Sequence, residues 1–276
     1  MKVIILTGSE LRHDFVRKSI ALDKDIEVLR TYCEESEKTF LNKIDKTNQL
    51  AQLQFDHIKA RKYSEYDFFN HFVALTPDAS RPLLIEKGEI NTSKCFDEIL
   101  DLKPDLLVAY GCSLIKGPLL SEFTGRFLNV HLGLSPYYRG AGTNFWPLVN
   151  KEPQLVGATF MHIDTNIDTG EIIHQIRARI HPEDTPHLIG NRLIADMAYV
   201  YIDVIKKFDK ANRMEQLPMP KVVKLYHIKD FSPESVQILY RNFENNLVDS
   251  YLKDQEELIK RVPIIENPAI VKGTQE

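Results

Sequence analysis

Short apolar runs closed by turn residues alternate with amphipathic stretches along most of this chain. Residues 3–6 (VIIL) read as a buried strand ended by Thr7-Gly8-Ser9, residues 10–21 as a helix and residues 26–29 as a second strand, the opening of a parallel sheet. Residues 34–74 are charged, helical in pattern and poor in Gly and Pro, which predicts one or two surface helices. Their aromatics Tyr63, Tyr66, Phe68, Phe69 and Phe72 form either a packing face or a lid. Residues 83–85 give a third strand, and Thr92 or Ser93 caps a helix that reaches about residue 102. Residues 106–110 (LLVAY) give a fourth strand that runs into Gly111-Cys112-Ser113, followed by a short helix over 117–122. A further short helix over 144–149 carries Trp146. Residues 156–163 and 171–180 read as two strands, paired antiparallel around the turn cluster DTNIDTG. Asp184-Thr185-Pro186 starts a long helix with an apolar stripe through Leu193, Ile194, Met197 and Val204. Beyond Asn212 the pattern changes: Pro218 and Pro220 mark a linker, 222–228 a strand, and Ser232-Pro233-Glu234 a helix running to about 260. The fold class is α/β, a mostly parallel sheet with flanking helices over 1–210, plus a small, mainly helical C-terminal extension over 211–276.

The pattern singles out residues 127–142 (FLNVHLGLSPYYRGAG). A short apolar strand here puts Asn129 and His131 two residues apart, hence on one face, and breaks into a loop of Gly, Pro and Tyr. Polar groups at the end of a strand, before a loop, are the usual layout of an α/β active site. Asp168, in the turn cluster, is the candidate third member. A neutral imidazole relays protons near neutral pH, an amide donates to a developing oxyanion, and a carboxylate orients the imidazole. Taken singly, each residue has a structural explanation: a loop former, a buried histidine, a turn former. Arg12 and His13 lie in the first turn of the first helix, where a ligand could approach the helix N-terminus, and are expected in solvent. Tyr137, Tyr138 and Arg139 are either acceptor contacts or parts of a structured loop.

Composition removes several alternatives. A net charge of −4 over 276 residues gives no reason to expect nucleic-acid binding. Cys33, Cys95 and Cys112 are far apart and form no metal or disulfide framework, which fits a reducing cytoplasm. Thr7-Gly8-Ser9 is not a dinucleotide fingerprint, and the histidines form no HExxH. No run is long enough to span a bilayer, and the N-terminal apolar run reads as a strand and not as a signal peptide.

The segment NVHLGLSPYYRGAG, followed by VGATFMHIDTNIDTGEII, resembles the formyltransferase superfamily. Its pattern is Asn-x-His, a Leu-Pro loop, then an Asp in a Gly-containing turn. Asn129, His131 and Asp168 match it. The match covers roughly residues 106–180. The usual loop reads His-x-Ser-Leu-Leu-Pro; here Gly133 stands where the serine is usual and Ser135 where the second leucine is. The resemblance implies a Rossmann-like formyltransferase fold and transfer of a formyl group from N10-formyltetrahydrofolate to a primary amine. It assigns Asn129, His131 and Asp168 to catalysis. It puts the donor against backbone near Val108, Ala109, Tyr110, Gly111, Asp164 and Ile167. The acidic helical tail, unlike a basic tRNA-binding barrel, and the Asn144-Phe145-Trp146 sequence point to a nucleotide-linked amino sugar as acceptor. The alternatives are formyltetrahydrofolate hydrolysis, formylation of glycinamide ribonucleotide or methionyl-tRNA, and a non-catalytic folate-binding module. The tail is expected to serve homodimerisation or acceptor binding.

Overall fold

The computed structural model describes residues 1–35, 49–166, 168–211, 213–220 and 223–270. Seven strands form one sheet: β1 (Lys2–Gly8), β2 (Glu27–Glu34), β3 (Pro82–Ile85), β4 (Leu106–Tyr110), β5 (Phe127–His131), β7 (Gly157–His162) and β8 (Ile172–Arg177). Their order is β3-β2-β1-β4-β5-β7-β8. The pairs from β3 through β5 are parallel, and β5-β7 and β7-β8 are antiparallel. The mostly parallel sheet is thus present, and its antiparallel edge is the pair read around the turn cluster. A separate two-stranded sheet joins β6 (Tyr138–Gly140) to β9 (Lys224–Tyr226) in parallel.

Strand alternation divides the core in two. Val3 and Ile5 of β1 face one apolar cluster, and Ile4 and Leu6 face the other. The larger side is covered by α1 (Leu11–Ala21), α2 (Gln49–Leu75) and α6 (Pro186–Lys206), the smaller by α3 (Ser93–Leu102) and α4 (Pro118–Glu122). Pro186 opens α6 behind the Thr185 cap, whose hydroxyl accepts from Leu188 N, and the expected stripe is buried through Leu193, Met197 and Val204. Each such side chain contributes about 1.5–3 kcal/mol of burial. On α2 only Phe69 of the expected aromatic face is fully buried, packing on Phe15 at 4.7 Å, while Tyr63 and Tyr66 point outward. The expected helices over 34–74 lie partly outside the described residues, and residues 27–34 belong to β2.

After the short α5 (Trp146–Val149), the chain passes through β7, β8 and α6 to the extension. The single helix expected over 232–260 is two, α7 (Pro233–Glu244) and α8 (Leu247–Lys260), separated where Asn246 adopts φ +57°. Both pack on the same core as the sheet: Leu239, Leu247, Val248 and Tyr251 join the larger cluster, and Asn242 Nδ2 donates to the Leu148 and Val149 carbonyls. Among the described residues, no helix is long and apolar enough to cross a membrane.

Candidate active site

The carboxyl ends of β4, β5 and β7 open into a cavity of about 950 Å³. This is the crevice that an open α/β sheet offers to ligands. Asn129 and His131, two residues apart on β5, both line it, and Asp168 reaches it from the turn before β8. Asn129 is partly exposed there and makes no side-chain hydrogen bond among the described residues. His131 is 8% exposed. Its Nδ1 lies 3.4 Å from Asp168 Oδ2, and its Nε2 is buried without a partner among the described residues. Burial pulls the imidazole below its ordinary pKa, and Asp168 and the Tyr138 main chain oppose that pull, so the ring is neutral near neutral pH. The Asp168 carboxylate also accepts from Gly140 N at 3.0 Å.

The loop that carries the departures is held through its main chain. Thr159 on β7 accepts from Ser135 N at 3.1 Å and donates to the Gly133 carbonyl at 2.6 Å. Gln175 on β8 donates to the Ser135 carbonyl at 2.7 Å and to Thr159 Oγ1 at 2.9 Å. The loop is therefore tied to the two antiparallel strands through buried polar groups, each with a partner. The Ser135 hydroxyl reaches the Asp168 carbonyl at 3.5 Å. Gly133 leaves room that the His131 ring and Thr143 occupy.

The residues read as donor contacts separate by depth. Tyr110, Gly111 and Asp164 line the cavity; Val108 and Ala109 do not. Both lie within β4, paired on either side with β1 and β5, and the Ala109 carbonyl is taken by Tyr201 Oη at 3.2 Å. Only the strand end has backbone to offer. Asp164 shapes its own turn, accepting from Asn166 N at 3.0 Å and from the Thr169 hydroxyl at 2.6 Å. Ile167 lies outside the described residues.

Tyr137, Tyr138 and Arg139, read as acceptor contacts, do not line the cavity. Tyr138 and Arg139 belong to β6, which pairs with β9. Tyr138 is fully buried, its hydroxyl between Glu152 and Asn150, and Tyr137 Oη donates to the Pro263 carbonyl at 2.9 Å. Arg12 and His13, expected in solvent, are cavity residues. Arg12 is held by Glu65 at 3.0 Å and Glu10 at 2.5 Å. His13 is 6% exposed, accepts from Glu10 N at 3.1 Å, and is held neutral by burial and by Arg12 and Arg61.

The opposite wall was not foreseen. It comes from α2 (His57, Arg61, Glu65), the segment 140–145, the start of α6 (His187, Asn191) and residues 226–229 of the extension. The His57 and His187 rings lie 4.6 Å apart, and His57 Nδ1 meets Tyr240 Oη at 3.1 Å. Burial and neighbouring cationic or imidazole groups lower both, to about 3 for His57 and about 4 for His187. His187 Nε2 is buried without a partner among the described residues. These groups come from four separated segments, and no local spacing links them. Among the described residues no cluster of His, Cys, Asp or Glu could hold a metal ion.

Several solved structures share this architecture. A phosphoribosylglycinamide formyltransferase from Anaplasma phagocytophilum aligns over 83% of this chain and 98% of its own, with a TM-score of 0.56 and 13% identity. A sugar N-formyltransferase from a Shewanella species aligns over 84% and 78%, with a TM-score of 0.53 and 18% identity. Such identities speak for the fold alone. Among curated sequences, the methionyl-tRNA formyltransferase of Thermodesulfovibrio yellowstonii is 28% identical over 218 residues, 70% of this chain and 69% of that protein. That of Desulforamulus reducens is 28% identical over 152 residues, 54% of this chain and 45% of that protein. This chain spans a third to about a half of the length of most curated relatives it matches. The family model described as formyl transferase matches residues 21–205, which carry β5, its Asn129 and His131, and the Asp168 turn. The chain belongs to the formyl transferase family.

Proposed function

We propose that this protein transfers a formyl group from N10-formyltetrahydrofolate to a primary amine carried by a nucleotide-linked sugar. The observation that carries the transfer is the convergence of Asn129, His131 and Asp168 on one cavity wall, with His131 and Asp168 3.4 Å apart. The residues present fit the donor. The main chain at Tyr110 and Gly111 and the turn at Asp164 flank one end of the cavity, where peptide groups at the end of β4 are open to a ligand. The donor supplies an activated formyl carbon, and the protein supplies position and charge.

Asn129 directs an N–H at the formyl oxygen as that atom gains charge, which costs no charged group. Asp168, 3.4 Å from Nδ1, stabilises the imidazolium that forms when His131 accepts the proton of the attacking amine. The same proton serves the nitrogen that leaves, so His131 returns to its neutral form. The far wall supports the acceptor class: Phe145 offers a ring, and Lys229 and Arg61, the latter paired with Glu65, offer cations. That combination suits a base or sugar joined to phosphate.

The test is mass spectrometry of an amine panel incubated with protein and N10-formyltetrahydrofolate: nucleotide-linked 3-amino and 4-amino sugars, glycinamide ribonucleotide and methionine-charged tRNA. A formyl mass gain on an amino sugar is expected. Asn129→Ala and His131→Ala are expected to lower its rate by about two to three orders of magnitude. Wild-type rates in both variants overturn the mechanism. A second reading, methionyl-tRNA as acceptor, is favoured by the curated relatives, which carry that name at 28–37% identity. A mass gain on tRNA alone selects it.

A further inference from the structure

Residues Lys224–Tyr226 belong to the C-terminal extension, yet they are built into the wall behind Asp168. In the β6-β9 sheet Gly140 stands opposite Tyr226. The Gly140 N–H donates to Asp168 Oδ2 at 3.0 Å. The next N–H, of Ala141, donates to the Tyr226 carbonyl at 2.8 Å. Gly140 has φ +87°, and a β-carbon there would lie 2.2 Å from that same carbonyl oxygen. The peptide that grips the carboxylate is therefore clasped by the Tyr226 main chain.

The Tyr226 side chain is fixed in turn. Its ring lies parallel to Trp146 at 4.1 Å, and its hydroxyl accepts from Asn150 at 2.9 Å. The same Asn150 donates to Tyr138 Oη at 2.8 Å, so one amide ties both tyrosines to the end of α5. Asp168 has φ +51°, a left-handed conformation that a non-glycine residue holds only when its surroundings impose it. The main hold on its carboxylate comes from outside its own turn.

We propose that Tyr226 is a positioning residue for the transfer: by clasping the Gly140 peptide it keeps the Asp168 carboxylate against His131, which makes the extension part of the catalytic unit. This rests on Asp168 and His131 acting as a pair and is independent of which amine is formylated. Asp168 raises the His131 pKa, Arg139 lowers it, and burial lowers it most. Losing the carboxylate therefore lets His131 give up its proton at lower pH.

The experiment is an NMR pH titration of His131 in full-length protein labelled with 15N-histidine, the signal assigned by His131→Asn. Wild type is compared with Tyr226→Leu and Asn150→Ala, each checked for a cooperative melt. The expected result is a His131 pKa lower by roughly half a unit to one unit in Tyr226→Leu, and a smaller shift of the same sign in Asn150→Ala. With an accepted amine, kcat falls about ten-fold in Tyr226→Leu while the donor KM holds, as misplacement of a catalytic group requires. The titration needs no acceptor, so it decides the proposal even if the panel yields no product. A folded Tyr226→Leu protein whose His131 titrates with wild type overturns it. Should that variant fail to fold, an unmoved His131 in Asn150→Ala overturns it instead.

Discussion

A β-carbon at position 133 would sit 2.4 Å from His131 Nε2 and 2.7 Å from Thr143 Oγ1. Neither neighbour has room to retreat: the imidazole is buried against Asp168, and Thr143 donates to the Leu132 carbonyl. The ring and a side chain at 133 compete for one volume. Gly133→Ser, which restores the serine usual at this place in the family loop, is expected to push the ring off Asp168. The loss in kcat is about a hundred-fold, the cost of misplacing a catalytic group by about 1 Å. Overpacking also removes about 1–3 kcal/mol of stability, read as a lower urea midpoint. A Gly133→Ser enzyme with wild-type kcat would show that the ring position does not matter to the rate. At this scale the chain was readable where function follows strand periodicity: Asn129 and His131 share a cavity because residues two apart share a face. Arg12 was unreadable because its partner, Glu65, is 53 residues away, and an arginine in a first helical turn otherwise belongs in solvent.

The helix pair α7–α8 shows what periodicity hides at the scale of an element. The apolar spacing runs through Asn245-Asn246 without a proline or glycine, so the stretch reads as one helix. The break is made by Asn246 at φ +57°, a conformation asparagine tolerates better than most residues. The turn lets Leu239 and Leu247 reach the same core from two helices. Asn246→Ala is expected to destabilise the protein by about 1 kcal/mol, and Asn246→Gly to be neutral or slightly stabilising. Equal urea midpoints for the two variants would remove the left-handed turn as the cause. The seven-stranded sheet was legible because each strand is a short apolar run between turn residues. The β6-β9 sheet was not: Tyr138–Gly140 has no apolar alternation, and its partner strand is more than 80 residues on. With that pairing unread, Tyr137, Tyr138 and Arg139 stand open between acceptor contacts and a structured loop; in the fold they do not line the cavity, and Tyr138 is buried in β6.

The whole molecule holds several histidines neutral. Burial first, then neighbouring Arg12 or Arg61 and, for His57, the adjacent His187, keep His13, His57 and His187 below their ordinary pKa, with His57 near about 3 and His187 near about 4. His131 is lowered too, by burial against the pull of Asp168. In the unfolded chain each takes a proton near pH 6.5. Between about pH 4 and 6.5 the unfolded state therefore binds more protons than the folded one, and stability rises with pH across that window and levels off above it. Each such histidine removes up to about 1.4 kcal/mol per pH unit on acidification. Glu10 and Asp78, whose carboxyls are lowered by arginine pairing in spite of burial, add to the loss below about pH 4.5. The melting temperature is expected to be nearly flat from about pH 7 to 8 and to fall steeply from about pH 6 to 4. His57→Gln keeps a polar partner for Tyr240 Oη, 3.1 Å away, while deleting one titrating ring, so its slope in that window should be shallower by about one proton. Scanning calorimetry of both proteins across the window measures the two slopes. Parallel curves would mean that His57 is protonated alike in the folded and unfolded states, and that the wall opposite Asp168 carries positive charge in the acid range where the buried geometry makes it neutral.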